Sequence, residues 1–453
     1  MLRSTAPKTG ENQSKLYRTM WRWHFYAGLI FAPFLILLAV TGAVYLFKPQ
    51  VESVLYRSYH TVAAGPQALA PSAQLAKVQE QFPDDSVTKF KPGATVTRSS
   101  EFTVTGEEGS RVVFVNPYNG EILGTLDEST TFMTLVKQLH GGSIAGAAGN
   151  LLVELTACWA VILIVTGVYL WWPRGQRSAA GIVYPRLRQG KRTFWRDVHA
   201  VPAFWLSLFM VILIFTGLPW SAVWGEGLNR FANATNTNSP PSLYGAKPQS
   251  TVPTKDVAAD VPWAAELMPV PGSSLPGVAG GLSIDRVVRI AEEQKLDGGY
   301  AVTFPKGERG VYTVAATPDK PEGQATLHID RYSGQVLADL RFKDYGITAR
   351  MISIGIALHE GRYFGLANQI AGLVACLGIV AIAFSGVVMW WRRRPAGKLA
   401  APARPQQYKL AKGLTAIMIG FGLFFPLVGL SLLLVLLLDL AVIRRSPAMK
   451  EAA

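Results

Sequence analysis

Five apolar runs punctuate the chain, at about 25–47, 150–172, 201–220, 367–391 and 413–443. A helix needs about 20 apolar residues to cross the hydrocarbon core of a bilayer, so each run predicts a membrane span. The third is the shortest and ends at Pro219, and the fifth contains Pro426, which predicts a tilt or kink. The first run continues into Tyr45-Leu46-Phe47 without a small-residue cleavage site, so it predicts a retained span rather than a removed signal. Between the runs the pattern changes period. Ser72–Gln81 predicts a short helix with Ser72 as its cap and Leu75 and Val78 on one face. Alternating stretches follow at 101–105 and 111–115, then the turn 116–120 and the stretch 121–123. A second series predicts a helix at 283–293 capped by Ser283, strands at 300–304, 311–315 and 325–329, the turn 330–334, and 335–337. Asn119-Gly120 and Ser333-Gly334 are hairpin signals between alternating runs. Residues 231–280, rich in Pro, Ser, Asn and Ala, predict a linker.

The apolar runs also repeat. His24 stands 17 residues before Thr41-Gly42, and His199 stands 17 before Thr216-Gly217. His140 precedes Thr166-Gly167 by 26 residues, as His359 precedes Ser385-Gly386. Trp171-Trp172 maps onto Trp390-Trp391 at the same offset of 219 that relates His140 to His359. The spacing predicts a duplicated pair of spans, with one histidine beside each helix of each pair.

Composition fits this picture: 49% of residues are hydrophobic and the mean hydropathy is +0.23. The net charge of +14 is unevenly placed. Residues 1–22 carry five Lys/Arg against one acid, 173–200 seven against one, and 392–412 seven against none. That is the positive-inside pattern; it explains the basic balance as topology and argues against nucleic acid as a partner. It gives a cytoplasmic N-terminus (1–24), spans at 25–47, 149–172, 201–220, 367–391 and 413–443, and cytoplasmic loops at 173–200 and 392–412. The long segments 48–148 and 221–366 then form two outer α+β domains, and 444–453 a tail. The expected location is a bacterial inner membrane, multi-pass, with the two large domains periplasmic. Arg444 and Arg445 would fall outside after a fifth span, against the rule. Cys158 and Cys376 lie inside apolar runs and read as small buried hydrophobes rather than a disulfide.

The repeated histidines carry the chemistry. Packing of two related halves about a pseudo-two-fold axis brings His24 towards His199, and His140 towards His359. A porphyrin iron has its four ring nitrogens already supplied and two axial positions left, which suits a pair of neutral imidazoles in an apolar cleft. Zinc is the rival, but it takes three or four protein ligands, and the sequence offers two histidines per level, with no HExxH and no Cys pair. CxxCH is absent, which excludes covalent c-type attachment by that motif. Arg22, Arg196 and Arg362 are candidate partners of haem propionates, with interfacial anchoring an equal alternative. Glu154, a carboxylate inside a predicted span, is a candidate for proton uptake or haem tuning. Beyond the haem ligands the sequence offers no separate catalytic residue. His60 and His328 read as fold or surface residues, the Trp pairs as interfacial anchors, and Met133 and Met351 as core, with soft metal ligation the alternative.

The texts VVFVNPYNGEILG and ATLHIDRYSGQVLAD resemble PepSY modules. Paired spans around such modules are similar to the PepSY-associated transmembrane family, which includes inner-membrane ferric-siderophore reductases and iron-uptake accessory proteins. The resemblance covers about 15–392 and leaves the fifth span outside. It implies two b-type haems at different depths, held by histidines at positions matching His24, His140, His199 and His359. It also implies a periplasmic ferric chelate, such as a ferric-siderophore, as electron acceptor. No GxGxxG and no flavin domain occur, so the donor is expected to be separate: a cytoplasmic reductase or a quinol. Two other readings stay open. One is a non-enzymatic membrane protein whose outer modules bind or restrain a periplasmic protein or peptide. The other is a haem conduit to a different periplasmic acceptor.

Overall fold

The computed structural model describes residues 9–173, 179–238, 249–258, 260–273, 281–296, 299–394 and 412–445. They divide into two compact units. One comprises 1–44, 137–227 and 370–453, and the other 45–136 and 228–369.

The first is a membrane unit. It is built on four long helices: Thr9–Tyr45, Gly146–Trp171, Gly190–Gly217 and Leu366–Arg393. The apolar stretches built on them, Leu16–Tyr45, Ser143–Trp171, Gly190–Trp220 and Leu366–Arg393, are each at least 28 residues long and apolar enough to cross a bilayer. The helices form a ring. The first meets the second where Phe31 stacks on Trp159, with ring centroids 5.7 Å apart. The second meets the third where Trp171 stacks on Phe204 at 3.9 Å. Leu206 of the third packs over Gly378 of the fourth, and Cys376 of the fourth lies near Gly42 of the first. Large apolar side chains on the outside of this ring, such as Leu208 and Phe384, stay exposed, as a lipid-facing surface requires. Cys158 and Cys376 are buried and unpaired.

The predicted fifth span at 413–443 is not one helix. It breaks into Lys412–Phe424 and Pro426–Arg445. Pro426 lacks the N–H that would continue the first helix and instead starts the second. In a straight helix residues seven apart lie about 10 Å apart along the axis. Here a Cβ placed on Gly429 would sit 2.7 Å from the carbonyl oxygen of Gly422, so the two helices fold back on each other. The bend is wedged into the bundle by Phe425, which is buried with Cys158, Val161, Leu218 and Val428. Trp159 Nε1 donates to Ser431 Oγ at 3.2 Å.

The second unit is organised by strands β1 (Ser86–Lys91), β2 (Ser100–Gly106), β3 (Gly109–Val115), β4 (Ile122–Leu126), β5 (Gln249–Pro253), β6 (Pro269–Pro271), β7 (Ala301–Thr303), β8 (Tyr312–Ala316), β9 (Ala325–Ile329) and β10 (Val336–Arg341). Eight of them form one sheet in the order β10-β9-β8-β7-β1-β2-β3-β4. The two separate domains expected from the sequence are thus halves of one sheet, joined where β1 pairs antiparallel with β7 and Phe90 lies opposite Val302. Pairing at the junction removes an exposed edge from each half. The helices Pro71–Gln81 and Ile284–Glu293 cover a single core containing Val78, Phe90, Phe102, Val287, Val302 and Leu327. Ser283 caps the second helix through Arg286 N. Ser72 does not cap the first; Pro71 occupies its first turn, and the Ser72 hydroxyl and amide both donate to Asp285 of the other helix. The two hairpin turns share one device: Asn116 Oδ1 accepts from Tyr118 N, and Asp330 Oδ1 accepts from Tyr332 N.

The segment read as a linker, 231–280, is partly ordered structure. It holds the end of the helix Trp224–Ala234, the short helices Thr254–Val257 and Trp263–Glu266, and the β5–β6 pair. Prolines at 253, 269 and 271 hid that pair, because proline within a run argues against a strand except at an edge.

Candidate functional site

The histidines sit on helices whose neighbours explain their orientation. His24 and His199 belong to the first and third long helices. Their rings face each other with centroids 6.2 Å apart and planes at 88°. Both residues are half-buried. Each is held through its Nδ1 by a residue of yet another helix. His24 Nδ1 lies 2.9 Å from Thr166 Oγ1 on the second long helix. His199 Nδ1 lies 2.9 Å from the carbonyl oxygen of Ile382 and 3.2 Å from Ser385 Oγ on the fourth. A glycine follows each hydroxyl residue and makes room for the ring. A methyl on Gly167 would come within 3.1 Å of His24 Cε1, and one on Gly386 within 3.4 Å of His199 Cε1.

His140 repeats the arrangement. It lies in the last turn of the helix Phe132–Gly141, and Gly142 then turns the chain with φ +77°. Its Nδ1 is 3.0 Å from Thr41 Oγ1, and a methyl on Gly42 would lie 3.1 Å from its Cε1. His359 ends the helix Ile347–His359, and Gly361 follows with φ +74°. His140 belongs to the membrane unit and His359 to the sheet unit, so the pairing of these two rests on the sequence repeat alone.

The fit to a porphyrin iron can be judged at the first pair. Two imidazole nitrogens bound to one metal, each at about 2 Å, put the ring centroids about 6 Å apart. The 6.2 Å between His24 and His199 agrees with that spacing. Among the described residues no group of three or more His, Cys, Asp or Glu stands ready to hold a metal ion, which disfavours zinc with its three or four protein ligands. Two ligands in an apolar bundle are what haem b requires.

The remaining candidates each have partners in the protein. Arg196 Nε and Nη2 donate to Asp197 Oδ1 at 2.9 and 2.6 Å, and the fully buried Asp197 also accepts from the backbone and side chain of Arg186. Arg362 donates to Glu360 at 2.7 Å and to the Pro318 carbonyl. The Arg22 guanidinium lies over the Tyr26 ring. Glu154 is buried, and its two oxygens accept from Val223 N and Trp224 N at 2.8 and 2.9 Å, anchoring the start of the helix Trp224–Ala234. Met133 is buried, whereas Met351 is largely exposed and is not core.

His60 lies edge-on to Phe114 with ring centroids 4.9 Å apart, and burial lowers its pKa. His328 is in the sheet core. The residues that sequence reasoning missed are Thr41, Thr166 and Ser385. They served there to mark the repeat; here they hold the rings.

Four membrane-crossing helices, a bundle that holds paired imidazoles, and an attached sheet unit define a multi-pass membrane protein. Residues 21–393 match the model of the PepSY-associated TM region, and the chain belongs to the PepSY-associated transmembrane family. No curated protein matches it. The helices Lys412–Phe424 and Pro426–Arg445 lie beyond the matched region.

Proposed function

We propose that the protein is a di-haem b electron carrier that passes electrons across a bacterial inner membrane to a periplasmic ferric chelate, such as a ferric-siderophore. The observation that carries this reading is the facing pair His24 and His199, 6.2 Å apart, each ring held by its Nδ1. These two residues are the ligands proposed for a cytoplasmic-side haem. His140, held by Thr41 in the same way, is the ligand proposed for a second haem, with His359 assigned to it by the repeat. Bound haem supplies one-electron chemistry, and reducing Fe(III) to Fe(II) weakens its binding to hard oxygen ligands. The chain's own part is to hold the imidazoles in place and exclude water from an apolar bundle. The donor is a separate cytoplasmic reductase or a quinol.

Pyridine haemochrome assay of the purified protein tests the cofactor. Two haems per chain are expected, falling to one in His24→Ala and in His199→Ala. A colourless wild-type protein overturns the proposal and leaves the reading of a binding or restraining membrane protein. Anaerobic mixing of the reduced protein with a ferric-siderophore tests the acceptor: the reduced α-band is expected to decay. A red protein whose band persists leaves only a conduit to another acceptor.

A further inference from the structure

The three ring-holding hydroxyls have a consequence for which nitrogen each histidine offers to a metal. Thr166 Oγ1 donates its own proton along its helix to the Ile162 carbonyl oxygen at 2.7 Å. Thr41 Oγ1 does the same to Leu37 O at 2.7 Å, and Ser385 Oγ to Ile382 O at 2.9 Å. Back-bonding of Ser and Thr to the preceding turn is usual in buried helices. Here it leaves the oxygen lone pairs as what meets the imidazole. A hydroxyl oxygen that has already given its proton can only accept, so Nδ1 of His24 and of His140 must carry the hydrogen. At His199 the same follows without the hydroxyl, because the Ile382 carbonyl oxygen 2.9 Å from Nδ1 has no proton to give. In a neutral imidazole the other nitrogen, Nε2, then holds the free lone pair.

We infer that Thr166, Thr41 and Ser385 are positioning residues that commit His24, His140 and His199 to the Nε2-ligating tautomer and fix each ring's plane towards the haem iron. The inference rests on the haem reading and adds to it a role for residues of the second, first and fourth long helices. An acceptor on the far nitrogen also makes the imidazole a stronger electron donor, which favours Fe(III) and lowers the reduction potential. His24 and His199 are alike in that each ring also meets a backbone carbonyl, that of Leu163 or that of Ile382. The hydroxyl is a second acceptor in both places, so Thr166→Val and Ser385→Ala are expected to act in the same direction.

The test uses the full chain purified in detergent, stripped of haem and titrated with haemin, with midpoint potentials from a redox titration of the reloaded protein. Loss of such an outer partner weakens binding by about 10–100-fold. Thr166→Val is expected to lose haemin affinity on that scale and to raise the midpoint of one haem. Thr166→Ser is expected to restore both, and Ser385→Ala to shift both in the same direction as Thr166→Val. Thr166→Val with wild-type affinity and potential overturns the inference. So does a Thr166→Ser protein as defective as Thr166→Val, since packing and not the hydroxyl would then matter. Wild-type protein that binds no haemin is a different result, for it removes the proposed function itself.

Discussion

His328 is the counter-example among the buried histidines. It points from β9 into the sheet core at 2% exposure, with Thr313 Oγ1 3.1 Å from its Nδ1 and Thr254 Oγ1 3.5 Å from its Nε2. Hydroxyls at both nitrogens leave neither free for a metal, so the residue belongs to the fold. Burial lowers its pKa from 6.5 to about 4. The unfolded chain therefore binds a proton more readily than the folded one across that window, and the stabilisation from the neutral ring is full above pH 6.5 and lost as pH falls towards 4. A shift of this size corresponds to about 3 kcal/mol. Melting curves from pH 7.5 to 4.5 should show the wild type losing more stability on acidification than His328→Gln; parallel curves would remove the argument. The four repeated histidines were legible in the sequence because they recur at fixed spacing. Their partners were not. His24 stands 17 residues before Thr41 yet meets Thr166, and His140 stands 26 before Thr166 yet meets Thr41. Spacing along one chain segment reveals a repeat, whereas the hydrogen bond crosses to a neighbouring helix that only packing selects.

At the scale of elements, the glycine pair Gly422 and Gly429 decides the fate of the last apolar run. The run is long enough to cross a bilayer once, which is how hydropathy alone reads it, but the backbones approach too closely at the bend for any side chain at 429. A hairpin brings its end back to the side from which it started. The positive-inside pattern accordingly predicts Arg444 and Arg445 on the side where the helix Lys412–Phe424 begins. A reporter fused after Arg445 should register the same side of the membrane as one inserted in the basic loop 392–412. Opposite sides would mean that the segment crosses. Gly429→Val should splay the two helices, because its Cβ meets backbone and not a movable side chain. Cross-linking of cysteines introduced at positions 421 and 430 would then fall relative to the same pair on the Gly429 background. The short helices Phe132–Gly141 and Ile347–His359, which carry two of the four histidines, were hidden for a related reason. Each ends at a glycine turn just before a long apolar run, and the run dominates the pattern.

On the scale of the whole sheet unit, the two halves share one core although the sequence reads as two domains. Seven of the sheet's eight strands were legible from their alternation and turn residues. Their union was not, because it depends on β1, whose text SVTKFK sets two lysines beside Phe90 and carries little apolar signal. Which edges pair is a long-range property, settled by the faces that remain to be buried. Phe90 is the residue on which the junction turns. It is 1% exposed, lies opposite Phe102 on β2 and Val302 on β7, and its ring centroid is 4.6 Å from that of Phe102. Truncating a buried phenylalanine to alanine costs about 3–5 kcal/mol, the lost contacts and the cavity together. If the eight strands fold as one body, Phe90→Ala should reduce amide-exchange protection in β2 and β3 and, to a similar degree, in β8 and β9, with which β1 does not pair. Independent halves would confine the loss to β1–β4 and leave β8 and β9 as protected as in the wild type. Hydrogen exchange read by peptide mass distinguishes these outcomes, since peptides from the two halves are far apart in sequence. A cooperative result would make the second half sensitive to mutations in the first, through a junction only a few residues long.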